Sequence, residues 1–480
     1  MLGWLDSPSK ELKKLPELIK IKDSLKKLNF ENLVLLGMGG SSIGPKVFKA
    51  ILAPENSNFY ILDSTHPSDI KKIEDKINIA KTLFIVASKS GSTLEPNILY
   101  KYFWHELEKL NILEPAKHFM AITDPITHLE QESQEQGFLQ GPFGDPDIGG
   151  RYSALSAFGL MPALLMNINT KELLERALVM SNNCRDENIN INLGAQLGLF
   201  LAEQVNNNRD QLVFYFSPKI KSFGWWLEQL IAESLGKNNS GIVPIINPDT
   251  YINSHKDVSC FISLGDEEIT NNINTPVINI KINNILELGA EMFRWQFATS
   301  IIGALLELNP FDQPDVEKSK IQAKNILEEM RKDPNKKLHN NIFDQKEFIE
   351  FLTQAQNKSY LAILSYLEDN QENNIYLKNL SNALAYKLKL PVLIQRGPSY
   401  LHSTGQLFKG GKNDGCFLLL SNSYPVDLPS FYAGLGFKDI NISQALGDNQ
   451  AMKDAHRQIM HIALKDAPVG FKEIMALIKH

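Results

Sequence analysis

The chain has 480 residues, 43% of them hydrophobic, and a formal net charge of -6 from 49 Lys and Arg against 55 Asp and Glu. At roughly 150 residues per domain this length holds two or three cores. The near balance of charge, with no long run of one sign, excludes a nucleic-acid footprint and points to a small ligand.

In chain order, the N-terminus MLGWLDSPSKELKKLPELIK is broken by charge within a few residues and does not read as an export signal. From Asn32 the pattern is strand (NLVLLG), Gly-rich turn, helix (GPKVFKAIL), strand (NFYILD), helix (PSDIKKIEDKI), strand (TLFIVAS), helix (TLEPNILYKYFWHEL) and strand (HFMAIT). Short apolar runs alternating with helical-period segments predict βαβ units, a parallel sheet with helices on both faces, for residues 1–185. The uncharged stretch Tyr152 to Thr170 approaches the ~20 residues of a membrane span, but Pro162, Asn167, Asn169 and several hydroxyls make it a buried helix. A second α/β series, 186–335, runs from QLVFYFSP through WWLEQLIAESLG, CFISLG and PVINIKI to the helices LGAEMFRWQFATSIIGALLEL and PDVEKSKIQAKNILEEMRK. KDPNKKLHNN reads as a linker, and residues 336–480 (SYLAILSYL, PVLIQRGP, CFLLLSN) as a C-terminal α/β segment completing the second domain. The three scattered cysteines fit a reducing cytoplasm rather than a disulfide framework or a Cys-rich zinc site, and the ten histidines form no H-x-H or H-x-x-x-H pair.

The turn VLLGMGGSSIGP admits three chemistries. As a dinucleotide fingerprint it fails, because after Gly37 and Gly39 the third glycine position holds Ser42. Gly40 to Gly44 does match the G-x-S-x-G elbow of serine hydrolases, with Ser42 as nucleophile and His402 downstream, but too little chain precedes it for the usual oxyanion strand. The third reading is a phosphate cradle, with backbone N–H groups and hydroxyls at a helix start. SKSGSTLEPN favours that one: Ser88, Lys89, Ser90, Gly91, Ser92 and Thr93 again follow a strand and open a helix. Helix N-capping is the bland explanation, and four hydroxyls with a lysine exceed what one cap requires.

Other candidates are single residues. Arg151, after two glycines in GGRYSALSAFGL, could stabilise an oxyanion, or simply form a surface salt bridge. Gln229 and Glu233 are four apart on one helix face. A carboxylate in such an apolar setting can have its pKa raised and serve as a general base, although most helical glutamates are merely solvated. Gln313 and Lys320 in NPFDQPDVEKSK could reach a ligand, and His402 sits in a Gly- and hydroxyl-rich loop, GPSYLHSTGQLFKGG.

Together GMGGSSIGP, SKSGSTLEPN, GGRYSALSAFGL, QLIAESLGK, NPFDQPDVEKSK and HSTGQLFKGG resemble the signature blocks of the phosphoglucose (glucose-6-phosphate) isomerase family, from residue 37 to about 411. The wording of the blocks, with LGWLDSP, looks closest to the isomerase part of fused transaldolase-isomerase proteins. The resemblance implies two doubly wound SIS (sugar isomerase) domains in α/β/α layers, interconversion of an aldose and a ketose phosphate, no cofactor, no metal and a cytoplasmic homodimer. By motif, Ser88, Lys89, Ser90 and Thr93 would hold the phosphate, with Gly40 and Ser41 lining the same crevice. Glu233 matches the base, Arg151 the group beside the enediolate, Gln229 and Gln313 the substrate-contacting glutamines, and His402 and Lys320 the ring-opening pair. A non-catalytic SIS sensor of sugar phosphates is the alternative, needing only the phosphate turns.

The chain departs from the family in order. The family runs Glu, His, Lys, with the histidine supplied by the neighbouring subunit, whereas here the order is Glu233, Lys320, His402. His255 occupies the conventional place and is the fallback, and whether His402 acts within its own chain stays open at this level.

Overall fold

The computed structural model describes residues 1–248, 257–266, 275–332 and 343–479, and the apolar runs pair there into three four-stranded parallel sheets. The first contains β1 (Asn32–Gly37), β2 (Phe59–Leu62), β3 (Thr82–Ala87) and β4 (Phe119–Ile122), in the order β2-β1-β3-β4. All six residues of β3 are buried, as a strand covered by helices on both faces requires. The second contains β5 (Gln211–Phe216), β6 (Val243–Ile246), β7 (Ser259–Leu264) and β8 (Val277–Ile280), in the order β6-β5-β7-β8. The third contains β9 (Tyr360–Tyr366), β10 (Val392–Arg396) and β11 (Gly415–Asn422); a small hairpin of β12 (Pro429–Tyr432) and β13 (Leu435–Gly436) intervenes before β14 (Gln458–Leu464) gives the order β10-β9-β11-β14.

The same winding thus occurs three times. Segment 336–480, read from sequence as completing the second domain, adds no strand to the second sheet among the described residues and builds its own. It joins the other units by packing and by a backbone hydrogen bond: Val213, Val243 and Ile245 share a core with Tyr360, Leu364 and Leu419, the Asn239 amide donates to the Gly410 carbonyl at 2.9 Å, and Phe437 and Ile440 pack into the core of the first unit. The first and second units are fused more broadly. The helices Ala157–Leu165, Phe223–Leu235 and Leu288–Leu305 contribute to one apolar cluster with residues of both sheets, including Leu35, Ile85, Leu212 and Phe214. The Tyr152–Thr170 stretch belongs to this core, and no helix among the described residues is long and apolar enough to cross a membrane.

In a sheet ordered β2-β1-β3-β4, the connections leaving β1 and β3 diverge to opposite faces, opening a crevice between their carboxyl ends. Both hydroxyl-rich turns lie there. The first leads into the helix Gly40–Leu52, the second into the helix Leu94–Lys109.

Candidate active site

The first turn is shaped by close backbone approach. Gly39 has φ +53°, and a Cβ there would stand 2.8 Å from the His402 carbonyl oxygen and 2.9 Å from the His402 Cβ. A Cβ on Gly40 would meet the Gly150 carbonyl oxygen at 2.0 Å. These glycines therefore let β1 lead directly between the Arg151 and His402 segments. Ser41 and Ser42 are buried in the first helical turn, and the Ser42 hydroxyl donates to the Gly39 carbonyl at 3.2 Å. That serine is fully enclosed and its hydroxyl occupied, while His402 pairs elsewhere, so the hydrolase reading fails on geometry.

In the second turn, Ser88 Oγ donates to Thr93 Oγ1 at 3.1 Å, and the Ser90 and Ser92 hydroxyls lie 3.1 Å apart. Thr93 occupies the N-cap of the Leu94 helix, yet its hydroxyl does not cap the helix amides. The Thr93 hydroxyl is therefore not used for capping, and in the first turn the Glu95 carboxylate accepts from its own backbone amide at the positive end of the helix. Lys89 departs from the expected arrangement. Its ammonium pairs with Asp124 and donates to the Asp145 carbonyl at 2.8 Å, so it braces the turn instead of offering a free charge to it.

Across the crevice, the helix Phe223–Leu235 places Gln229 above Glu233, and Gln229 Nε2 donates to Glu233 Oε2 at 3.1 Å and to the His402 carbonyl at 3.1 Å. Gln229 Oε1 is buried without a hydrogen-bond partner. Arg151 NH1 stands 3.3 Å from Glu233 Oε1 and donates to Gln313 Oε1 at 3.0 Å. Its remaining nitrogens are held by Ser234 Oγ and the carbonyls of Pro310 and Asp312. Lys237, at the end of the same helix, donates to Asn309 and Asp312, pinning the NPFDQPD turn that receives the guanidinium. Burial raises the pKa of Glu233 above the usual carboxylate value, although the Arg151 charge and the Gln229 hydrogen bond pull the other way. A fixed cation touching a carboxylate with a raised pKa is suited to proton abstraction beside a carbonyl.

His402 ends the short 3-10 turn Ser399–His402 that follows β10, and its Nε2 lies 3.1 Å from Glu95 Oε1. Gln444 Nε2 also donates to Glu95 Oε1, at 2.7 Å. Burial by itself would raise the Glu95 pKa, but the His402 charge and hydrogen bond bring it below the usual value. Glu95 is the residue that sequence reasoning missed: it stands inside SKSGSTLEPN, two positions after Thr93, and its partner is 307 residues away. Lys320, on the helix Val316–Lys332, pairs with Glu317 at 2.6 Å and lines a cavity of about 540 Å³ together with Ser90, Thr93, Glu95 and His402. Gln406, in the helix after the His402 turn, ties the ends of two other helices together, donating to the Gly236 carbonyl at 2.9 Å and to Asp315 at 2.8 Å while accepting from the Asp315 amide. His255 lies outside the described residues.

Glu233, Arg151, Gln229, Gln313 and His402 are linked by direct contacts within one chain, with Gly39 against His402 and Gly40 against the Arg151 segment. Three doubly wound units, hydroxyl-rich turns at the strand crevice of the first and a buried carboxylate–guanidinium pair fit the class of sugar-phosphate isomerases to which the relatives below belong. A profile of phosphoglucose isomerase matches residues 12–251. The chain is 31% identical over 355 residues to a glucose-6-phosphate isomerase of Campylobacter jejuni, covering 62% of this chain and 85% of that one. It is 28% identical over 346 residues to one from Methanocaldococcus jannaschii, with the same coverages. Among solved structures, a hypothetical protein from Thermus thermophilus superposes with TM-score 0.62 at 24% identity, over 68% of this chain and 90% of that one. A glucose-6-phosphate isomerase from Chlamydia trachomatis gives 0.56 at 20% identity, over 72% and 77%. The chain belongs to the phosphoglucose isomerase family.

Proposed function

We propose that this chain interconverts glucose 6-phosphate and fructose 6-phosphate through an enediolate, as a cytoplasmic enzyme of sugar-phosphate metabolism. In this reading the phosphate rests on the hydroxyls of Ser88, Ser90 and Thr93 and the amides of the Leu94 helix, with Gly40 and Ser41 lining the crevice. It supplies remote binding energy that places the reacting carbons at Glu233. Glu233 takes the proton from C2 of the open-chain aldose and returns it to C1. Arg151 stabilises the negative charge that develops on the oxygens, while Gln229 and Gln313 position the hydroxyls. His402 and Lys320 move protons at the ring oxygen and the anomeric hydroxyl to open the cyclic sugar. A second copy of the chain is the expected partner, by family likeness.

The observation that carries the proposal is the 3.3 Å contact between Arg151 and a buried Glu233 whose pKa is raised. A sensor of sugar phosphates would need the turns but not this pair. The test is turnover of fructose 6-phosphate by wild type and by Glu233→Gln, with binding measured in parallel. Wild type should produce glucose 6-phosphate; the variant should bind substrate and lose turnover. Unchanged turnover would remove Glu233 as the base, and an inactive wild type that still binds would favour the sensor.

A further inference from the structure

Beneath the His402 turn lies a buried carboxylate that the isomerisation scheme does not use. Asp448, on the helix Phe437–Asp454, is fully enclosed and accepts three hydrogen bonds. Tyr400 donates its hydroxyl to Oδ2 at 2.5 Å, Lys409 Nζ to Oδ1 at 2.7 Å, and Ser319 Oγ to Oδ1 at 2.8 Å. All three donors are themselves buried. Their places in the chain matter. Tyr400 belongs to the 3-10 turn that His402 ends, Lys409 to the helix Gly405–Gly410 that follows it, and Ser319 directly precedes Lys320 on the helix Val316–Lys332.

A buried ion pair is a poor device for stability, because desolvation of two charges offsets most of their attraction and apolar replacements often do as well. It is a good device for geometry, since moving any one member strands the others. Asp448 gathers onto one carboxylate the turn that carries His402 and the helix that carries Lys320. Besides the Gln406–Asp315 bonds, these segments meet by packing across the shared face of the third unit, where the helices Val316–Lys332 and Phe437–Asp454 lie against one another.

We infer that Asp448 is a positioning residue for ring opening, fixing through Tyr400 and Ser319 the separation of His402 and Lys320 across the sugar ring. This rests on the reading of those two residues as the ring-opening pair. The consequence is selective: a loosened anchor slows opening of the cyclic substrate more than proton transfer at Glu233, which shares the Gln229 bridge with the His402 carbonyl but is also held by Arg151, itself fixed by Ser234, Pro310 and Asp312.

The experiment uses the full chain and compares fructose 6-phosphate with its 5-deoxy analogue, which lacks the hydroxyl needed to close the five-membered ring. Both substrates are measured on the same preparations, so a reduced folded fraction lowers both rates alike. Tyr400→Phe and Ser319→Ala each remove one bond to Asp448 without leaving a buried charge unpaired; His402→Ala is the reference. We expect each of the two to lower kcat on the cyclic substrate by about tenfold or more, as displacement of a catalytic group does, with KM unchanged and a markedly smaller loss on the acyclic substrate. Equal losses on both substrates, or no loss, would overturn the positioning role while His402→Ala keeps its selective defect. A non-selective defect in His402→Ala itself would instead overturn the ring-opening reading, and the inference with it.

Discussion

The two ends of the crevice are built on different principles. At the end proposed for proton transfer, Glu233, Arg151 and Gln229 expose 9%, 3% and 1% of their surface, and the guanidinium is held on every nitrogen. At the end proposed for ring opening, the Lys320 side chain is 54% exposed and pairs with Glu317 on its own helix. The first end is preorganised: its charges are oriented before substrate arrives, where low dielectric makes them count. In the proposed scheme the second is completed by the sugar, for which Lys320 would exchange its Glu317 partner. Enediolate stabilisation gains most from a fixed dipole environment, whereas ring opening must admit and release substrates of different ring size.

Four substitutions probe this contrast. Glu233→Gln should lower kcat by at least about 10³-fold on cyclic and acyclic substrates alike, the scale of a lost general base, with calorimetry showing retained sugar-phosphate binding. Arg151→Met should cost about 10²-fold or more and also move the acid limb of the pH profile. Arg151 holds the Glu233 pKa down against burial, and the base works only when ionised, so its removal shifts the fall in kcat/KM to higher pH. Glu95→Gln should lower turnover of the cyclic substrate by roughly tenfold while sparing the acyclic one, since an oriented imidazole is a fraction of the general-acid term; stopped-flow comparison of the two substrates reads this directly. The smallest effect is on stability. Burial raises the pKa of Glu228 from 4.5 to about 7, with a Gln395 hydrogen bond opposing. The native state therefore keeps a proton that the unfolded chain releases, so stability falls as pH rises from about 4.5 through 7. Glu228→Gln should match wild type in thermal unfolding near pH 4 and exceed it at pH 8.

Much of this was legible in the chain. β1 reads as NLVLLG and is observed at Asn32–Gly37, because a strand buried on both faces is an uninterrupted apolar run. β14 escaped because His461 interrupts its run; buried there, it bonds to Ser421 at 2.8 Å. β6 escaped because Pro244 stands in a four-residue strand, which is tolerated since β6 is at the sheet edge. In the site, the i, i+4 spacing of Gln229 and Glu233 was enough to place them on one face. The Glu95–His402 pair was beyond reach, as nothing local couples residues of separate sheets. Lys89 shows the converse: a lysine among hydroxyls looks like a phosphate ligand until Asp124, from the end of the next strand, is seen to hold it.

His402 touches Gly39 and Gln229 of the same polypeptide, and this has a consequence for mixtures of variants. A site assembled between two molecules can be rebuilt by complementation, each defective copy lending the other what it lacks. Here Glu233→Gln co-expressed with His402→Ala should regenerate no activity, and blends of wild type with either should respond in simple proportion to the intact fraction. On that reading the imidazole and the carboxylate proposed to act in succession travel on one polypeptide.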